Sequence, residues 1–396
     1  MAYSKLGYMG LIKEATQGVA LKPDTYIEIL SESITSSKPI VPSAPVYGND
    51  SKHLHANRGQ AEGPAGDITV EVEPNTIGYL LSMFDDPATT GPTDTDAYTH
   101  TYSFPTSVTA DTYTIDISIG DDFVRRYVGC VGTGISFDIA DNVWTATISL
   151  QAEFEFVATS VDTTVSSGQT LNLAQTSGVT TSDTMILSPL VSAQTEETAV
   201  SAVDSETQLT VATITNTHTA AALATIKKST PSFTQVSKFT WIGNTTYKEG
   251  ALIGSVANVA MEQFSLNITR DVEVIHGTHS VANEERAYYP TDIKLKGFEA
   301  SATLQKCWVD EEQIGVYQKG AQYAAEIEST NNDLVGAASQ KGSLKIQIPD
   351  MRMTEDVGYN VGQDDIIQEA RTLQVYNDAT AAYQLKITLI NAVTAY

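Results

Sequence analysis

The sequence predicts a mainly β protein with two or three domains, and three observations carry that expectation. Thr, Val, Ile and the 18 tyrosines recur in short runs broken by Gly, Pro, Asn and Asp, which is strand-and-turn composition. Apolar and polar residues alternate at period two in many segments, as in Ile68, Val70 and Val72 against Thr69, Glu71 and Glu73. Helical spacing is confined to two short stretches, while 396 residues at 41% hydrophobic and 18% charged suffice for a sizeable core.

Residues 1–25 carry Gly, Pro and only a weak periodic pattern, and read as an arm. Tyr26–Ser36 alternates and reads as a first strand. Residues 40–66 form a long polar loop, a length that is functional or disordered more often than incidental. The stretch Arg58–Phe84 then gives a turn at Pro64–Gly66, a strand, a turn and N-cap at Pro74-Asn75-Thr76, and a helix striped by Ile77, Leu80, Leu81 and Phe84. Tyr98–Phe104, Tyr113–Ile119, Phe123–Val131, Ile135–Ile139 and Val143–Val157 read as successive strands, with Gly129–Gly134 a bulge or tight turn between strands.

From about Thr159 aromatics vanish and Ser, Thr and Ala rise, which marks a small inserted β domain over residues 159–232. It holds six acids against Lys227 and Lys228, so most of the negative charge lies in the flanking segments 1–158 and 233–396. Strands resume at Phe239–Ile242, Ala260–Ile275 and Asp292–Lys296. A helix is expected from Asp310, where acids occupy the first turn and Lys319-Gly320 ends it. Leu344–Ile348, Leu373–Val375 and Tyr383–Ile390 close the chain as strands.

The order of parts repeats. Arg58, Asp67-Ile68-Thr69-Val70, a helix with Ile77-Gly78 and the strand Ile148–Ala152 stand against Arg286, Asp292-Ile293-Lys294-Leu295, a helix with Ile314-Gly315 and Ile387–Ala392. This alignment sets Glu71 against Lys296 and makes the second strand-to-helix connection the longer one.

Net charge is −25 with a pI near 4.4, which disfavours phosphate-backbone binding; adaptation to a saline habitat is the other source of such acidity. Cys130 and Cys307 show no metal spacing and read as two buried thiols. The N-terminus has no signal-peptide core and no run nears a membrane span, so a soluble protein is expected. His53/His55 and His276/His279 are candidate ligand pairs, but neither gains a third ligand of suitable spacing, and both sit in polar loops. There is no GxSxG elbow, phosphate loop or GxGxxG after a strand. Asp121-Asp122 and Asp364-Asp365 lack alternating oxygen ligands and read as solvated turns. Trp144, Trp241 and Trp308 are scattered, which speaks against a carbohydrate platform. No cofactor, metal or catalytic residue is expected.

With GDITVEVEPNTIGYLL, YVGCVGTGISFDI, FSLNITRDVEVI and LKIQIPDMRM followed by YQLKITLINAV as its carriers, the chain resembles the major tail tube protein of a long, non-contractile-tailed, siphovirus-like bacteriophage or archaeal virus. The resemblance covers residues 1–158 and 233–396. It implies two tandem tail-tube β-sandwich or barrel domains, each with a flanking helix, and an inserted domain displayed outward. It further implies self-assembly into stacked rings, of three chains with pseudo-sixfold symmetry or alternatively of six, around a channel that DNA passes without specific binding. Tape measure and tail-end proteins are the implied partners, and the tail of a virion assembled in the host cytoplasm the implied location. Candidate channel-lining residues are Glu71, Glu73, Glu153 and Glu155; candidate ring-stacking residues are His53, His55, Arg58, His276, His279 and Arg286. Glu71 and Glu73 are alternatively partners of a neighbour's lysines. Other virion roles, tail completion or decoration, and a surface adhesin or array protein are the competing readings.

Overall fold

The computed structural model describes residues 7–37, 39–42, 56–59, 61–94, 96–104, 111–118, 122–191, 193–231, 233, 236–277, 288–307, 317–335, 340–355, 358–360 and 368–396. The fold is mainly β, as composition and alternation imply. In the first half the strands are β1 (Tyr8–Lys13), β2 (Thr25–Glu28), β3 (Ser31–Glu32), β4 (Ile40–Pro42), β5 (Ala56–Arg58) and β6 (Ala65–Glu71). After helix α1 (Ile77–Leu81) come β7 (Ala88–Asp94), β8 (Ala97–Phe104), β9 (Tyr113–Ser118), β10 (Arg125–Ala140), β11 (Val143–Gln151) and β12 (Phe154–Phe156). β11 shows the cause most plainly: Trp144, Ala146, Ile148 and Leu150 are buried while every residue between them is half-exposed.

Three expectations change here. Tyr8–Lys13, expected in an arm, is a mostly buried strand between β2 and β9. The two strands expected across 123–139 are one, β10, and the glycine run inside it makes register shifts at Tyr127/Cys130 and Gly132/Gly134. Gly129 sits at φ +67, where a Cβ would stand 2.6 Å from the Glu153 Cγ, so a larger residue is excluded twice over. Thr76 stands at the N-cap of α1, but its side chain makes no cap bond. That turn is held instead by Asn391, whose Nδ2 donates to the Pro74 carbonyl at 2.6 Å.

A separate six-stranded sheet fills the middle of the chain: β13 (Thr159–Ser160), β14 (Gly168–Asn172), β15 (Thr184–Leu187), β16 (Glu196–Ser205), β17 (Gln208–Ile214) and β18 (Leu223–Ile226). Its apolar face packs on Tyr8, Val124, Val128, Phe154 and Phe156 of the first half.

The second half comprises β19 (Thr245–Gly250), β20 (Ala257–Asn258), β21 (Gln263–Ile275), β22 (Asp292–Cys307), β23 (Tyr323–Leu334), β24 (Lys341–Met353), β25 (Gly358–Asn360), β26 (Gln368–Tyr376) and β27 (Leu385–Asn391). Its ladder repeats the first. In the first half β2–β1–β9–β10 leads to β11 and β12, which succeed one another along one edge of β10; β11 then pairs with β6, and β6 with β3. In the second, β20–β19–β23–β24 leads to β26 and β27 along one edge of β24; β26 pairs with β22, and β22 with β21.

Register corrects the alignment drawn from tetrapeptides. Ala65 opposes Gln151 as Ser301 opposes Gln374, which places Glu71 level with Cys307 rather than Lys296. Ile77 and Ile314 then follow those residues by six and seven positions in the sequence. Ile314 lies outside the described residues, and residues 317–319 are helical. Two features break the repeat. β8 of the first half pairs with β27 of the second, and Gly134–Phe137 of β10 pair with Leu266–Thr269 of β21.

The repeat extends to a buried acid. Asp116 on β9 opposes Arg126, and Glu326 on β23 opposes Gln347 at the same place. Burial raises the Glu326 pKa, but hydrogen bonds from Lys248, Lys345 and Gln347 outweigh it and bring the value down to about 2. Glu196 in the middle sheet reaches about 2 likewise, with burial opposed by the Asn216 N–H, His218 and both donors of Thr215. Both lie below the ordinary carboxylate value of 4.5, so their stabilisation is complete above pH 4.5 and is lost as pH falls from there through 2. Glu326→Gln is expected to lower stability at pH 7 and to flatten the stability curve between pH 4.5 and 2; urea titrations across that window check it.

Candidate functional site: a polar sheet face without cations

β6, β11, the upper part of β10, β21, the later part of β22 and β26 lie side by side across both halves. Period two divides them into faces. Ile68, Val70, Trp144, Ala146, Ile148, Ile135, Phe137, Leu266, Ile268, Ala302, Leu304 and Leu373 point into the main core. The opposite face carries Asp67, Thr69, Glu71, Thr145, Thr147, Ser149, Ser136, Asp138, Ser265, Asn267, Thr269, Glu299, Ser301, Thr303, Thr372 and Gln374, all exposed or half-exposed.

The chemistry of that face is uniform. Across 65–71, 134–140, 143–151, 263–269, 299–305 and 368–374 the sole basic residue is Arg371, which is buried on the core side. Hydroxyls and carboxylates satisfy one another along it: Ser149 donates to Asp67 at 2.6 Å, Thr69 and Thr147 hydroxyls are 3.0 Å apart, and Gln374 donates to Glu299 at 3.0 Å. Such a surface offers short hydroxyls, amides and negative charge, and no cation to neutralise a phosphate. Lys238 reaches only its edge, where its Nζ contacts Glu73 and stands 3.7 Å from Glu71 and 3.8 Å from Glu28.

The four expected strand acids do not share this face. Glu71 lies on it. Glu73 is 8% exposed and neutralised by Lys238. Glu153 is 1% exposed, takes a hydrogen bond from Gln17 at 2.8 Å and packs on Gly129. The Glu155 carboxylate is buried and ion-paired with Arg125 at 3.2 Å. A carboxylate enclosed in its own chain has no surface to turn toward a channel, which corrects the expectation for these three. Lys296, expected near the counterpart of Glu71, pairs with Glu273 at 3.1 Å. His53, His55, His279 and Arg286 lie outside the described residues; Arg58 is in β5 and His276 follows β21.

Sequence reasoning missed the buried charge clusters, because their members are far apart in the chain. Glu14 accepts from Thr112, Thr114, Gly18 N–H and Gly129 N–H at 2.8–2.9 Å, tying β1 to β9 and β10. Arg371 pairs with Glu369 and with Glu249, which also holds Lys306 at 3.2 Å. The Arg371 cluster is internally neutralised, the arrangement of structural ion pairs, whereas Glu14 is held by hydroxyl and backbone N–H donors. Among the described residues no three His, Cys, Asp or Glu side chains gather to hold a metal ion, and no helix is long and apolar enough to cross a membrane. Cys130 is a buried free thiol whose pKa burial pushes well up.

Compared with known families, residues 4–375 match a family model described as phage tail tube protein. No curated protein matches the chain.

Proposed function

The chain belongs to the phage tail tube protein family, and on that premise we propose that it polymerises as stacked rings whose channel is lined by the cation-free face. The observation that carries this reading is the composition of that face: six adjacent strands drawn from both repeats expose hydroxyls, amides and the acids Asp67, Glu71, Asp138 and Glu299, with no lysine or arginine. A passing duplex meets repulsion and no counter-charge to hold it. The role is structural, and the buried ion clusters brace the fold without touching the face. The tail is of the long, non-contractile kind, in a siphovirus-like bacteriophage or archaeal virus. Residues 1–158 and 233–396 act as the two tube units and 159–232 as an outward module. Three chains per ring, six repeats in all, is the favoured count, with six chains the alternative. The loop segments expected to stack rings, with His53, His55, Arg58, His276, His279 and Arg286, reach toward the next ring.

Asn267→Lys with Thr372→Lys tests the lining. Both positions are exposed, so the fold tolerates the change within about 0.5 kcal/mol per site. Virions built from this variant are expected to show tubes of normal appearance and genome delivery slowed at least tenfold. Delivery at the unmodified rate would place the face elsewhere than the channel.

A further inference from the structure

Resting on the tube reading, we propose that β12 is a relay between the middle sheet and the base of the β21–β22 hairpin: displacing either one frees the other. Both neighbours bear on the same short strand. β12 is held to β10 by three opposed pairs, Arg126 with Phe156, Tyr127 with Glu155 and Val128 with Phe154. Among the described residues it pairs with no other strand. A strand of that length, held along one edge, can open while the rest of the fold stays closed.

The middle sheet bears on the far end of β12. Only Val157 and Ala158 separate Phe156 from β13, so the sheet cannot shift far without pulling on the strand. Gly178, at φ +91, lies against Phe156: a Cβ there would stand 2.8 Å from the Phe156 Cβ. The Gly178 carbonyl and the Asp183 carboxylate are both held by Arg126, the residue opposite Phe156.

The hairpin base bears on the near end. Tyr289 is 4% exposed, with its ring 6.5 Å from that of Phe154, and it shares one apolar cluster with Phe156 and the inward residues of the middle sheet. Beside it the Ala61 N–H donates to the Tyr288 carbonyl, and the Ala152 N–H to the Pro64 carbonyl, both at 2.8 Å. The returning ends of the two long loops therefore meet next to β12.

A second link runs alongside, through the segment that joins β1 to β2. Gln17 Nε2 donates to Glu153 at 2.8 Å and to Asp292 at 2.9 Å, while Lys22 Nζ donates to the Ser182 carbonyl at 2.6 Å. One stretch of chain thus touches the start of β12, the hairpin base and the middle sheet.

Peeling β12 from β10 takes the ring partner from Tyr289 at one end and the support from Gly178 at the other. Whichever neighbour leaves first, the second has lost part of what held it. That is a coupling free energy, and linkage makes it equal in both directions. In a tube the middle sheet faces outward and the hairpin base carries a loop that faces the next ring. A pull on the outer surface is then passed to the contact between rings.

Hydrogen exchange of the full chain before assembly tests the relay. In Tyr289→Ala the amides of Phe154–Phe156 and of Thr180–Asp183 are expected to exchange about tenfold faster. In Asp183→Asn a similar acceleration is expected at Tyr289, Thr291 and Asp292. Acceleration confined to the surroundings of each substitution would overturn the relay. Should Tyr289→Ala not fold, Gln17→Ala at an exposed position takes its place. It is expected to speed exchange at Thr180–Asp183 about threefold, and unchanged exchange there would overturn the proposal equally. An uncoupled chain that still forms tubes under negative stain leaves the tube reading intact. A coupled chain that forms neither rings nor tubes would remove that reading and leave the relay standing.

Discussion

Arg126→Met is expected to destabilise the chain by about 3–5 kcal/mol, because it strands two buried carboxylates. Arg126 is buried where β10 meets the middle sheet. Its Nε and Nη2 donate to both Asp116 oxygens at 2.7 and 2.8 Å, and its Nη1 donates to Asp183 at 2.6 Å and to the Gly178 carbonyl at 2.9 Å. Burial opposes its charge, yet Asp116 and Asp183 drive its pKa upward. Asp183 is committed in turn to the Thr180 N–H and hydroxyl, both at 2.8 Å, so it cannot swing out to water without undoing its own turn. Methionine keeps much of the volume and removes the charge. The loss therefore reports the two acids left behind rather than a cavity. Urea denaturation at pH 7 measures it, and Arg126→Met combined with Asp116→Asn should recover part of the loss. A change below about 1 kcal/mol would mean that water reaches the site. The cluster also ties the middle sheet to β9 and β10, beside the apolar packing on Val124, Val128 and Phe156.

What was legible in the sequence, and what was not, divides along one physical line. Alternation announces a strand with one wet face, so β11 and the FSLNITRDVEVI strand were readable residue by residue. It does not say which wet face, or whether both sides are covered. Glu153 and Glu155 flank Phe154 in a sound alternating pattern, yet the middle sheet covers one side of β12 while Gln17 and Arg125 meet its acids on the other. Tyr8–Lys13 fails for the complementary reason. A strand covered on both faces loses its period and reads as an apolar run without type. The duplication was visible as an order of parts, but its register was not. The match of Asp67-Ile68 to Asp292-Ile293 is a coincidence of alternating strands, eleven residues from the equivalence that the ladders define, which sets Asp67 against Thr303. The channel-facing candidates followed only once that register was known, because the face is assembled from both repeats. Of the four acids expected on it, Glu71 alone remains.

Trp144→Ala is the other substitution with a large expected effect, and it measures how far the two repeats are one folding unit. Trp144, Trp241 and Trp308 looked scattered in the chain, and that scatter spoke against a binding platform. The fold gives the first two a different role. Trp144 is 1% exposed, with its ring 5.8 Å from Trp241, 6.0 Å from Phe264 and 6.5 Å from Phe137. Its Nε1 donates to the Thr245 hydroxyl of β19 at 3.2 Å, and its backbone joins Phe239 to Val72. One side chain from β11 thus touches the connecting segment and two strands of the second repeat. Truncation to alanine opens a cavity between the halves, and about 3–5 kcal/mol is expected to be lost. The form of the loss is the sharper readout. If the shared core makes one cooperative unit, the urea transition moves to lower denaturant and stays single. If the β10–β21 and β8–β27 pairings alone couple the halves, the transition splits in two. Trp144→Phe, which keeps the ring contacts and drops the Thr245 bond, should cost less than half as much. A loss below about 1 kcal/mol in the alanine variant would show that the interface between repeats collapses readily around a void, and that strand pairing rather than packing holds the two repeats together.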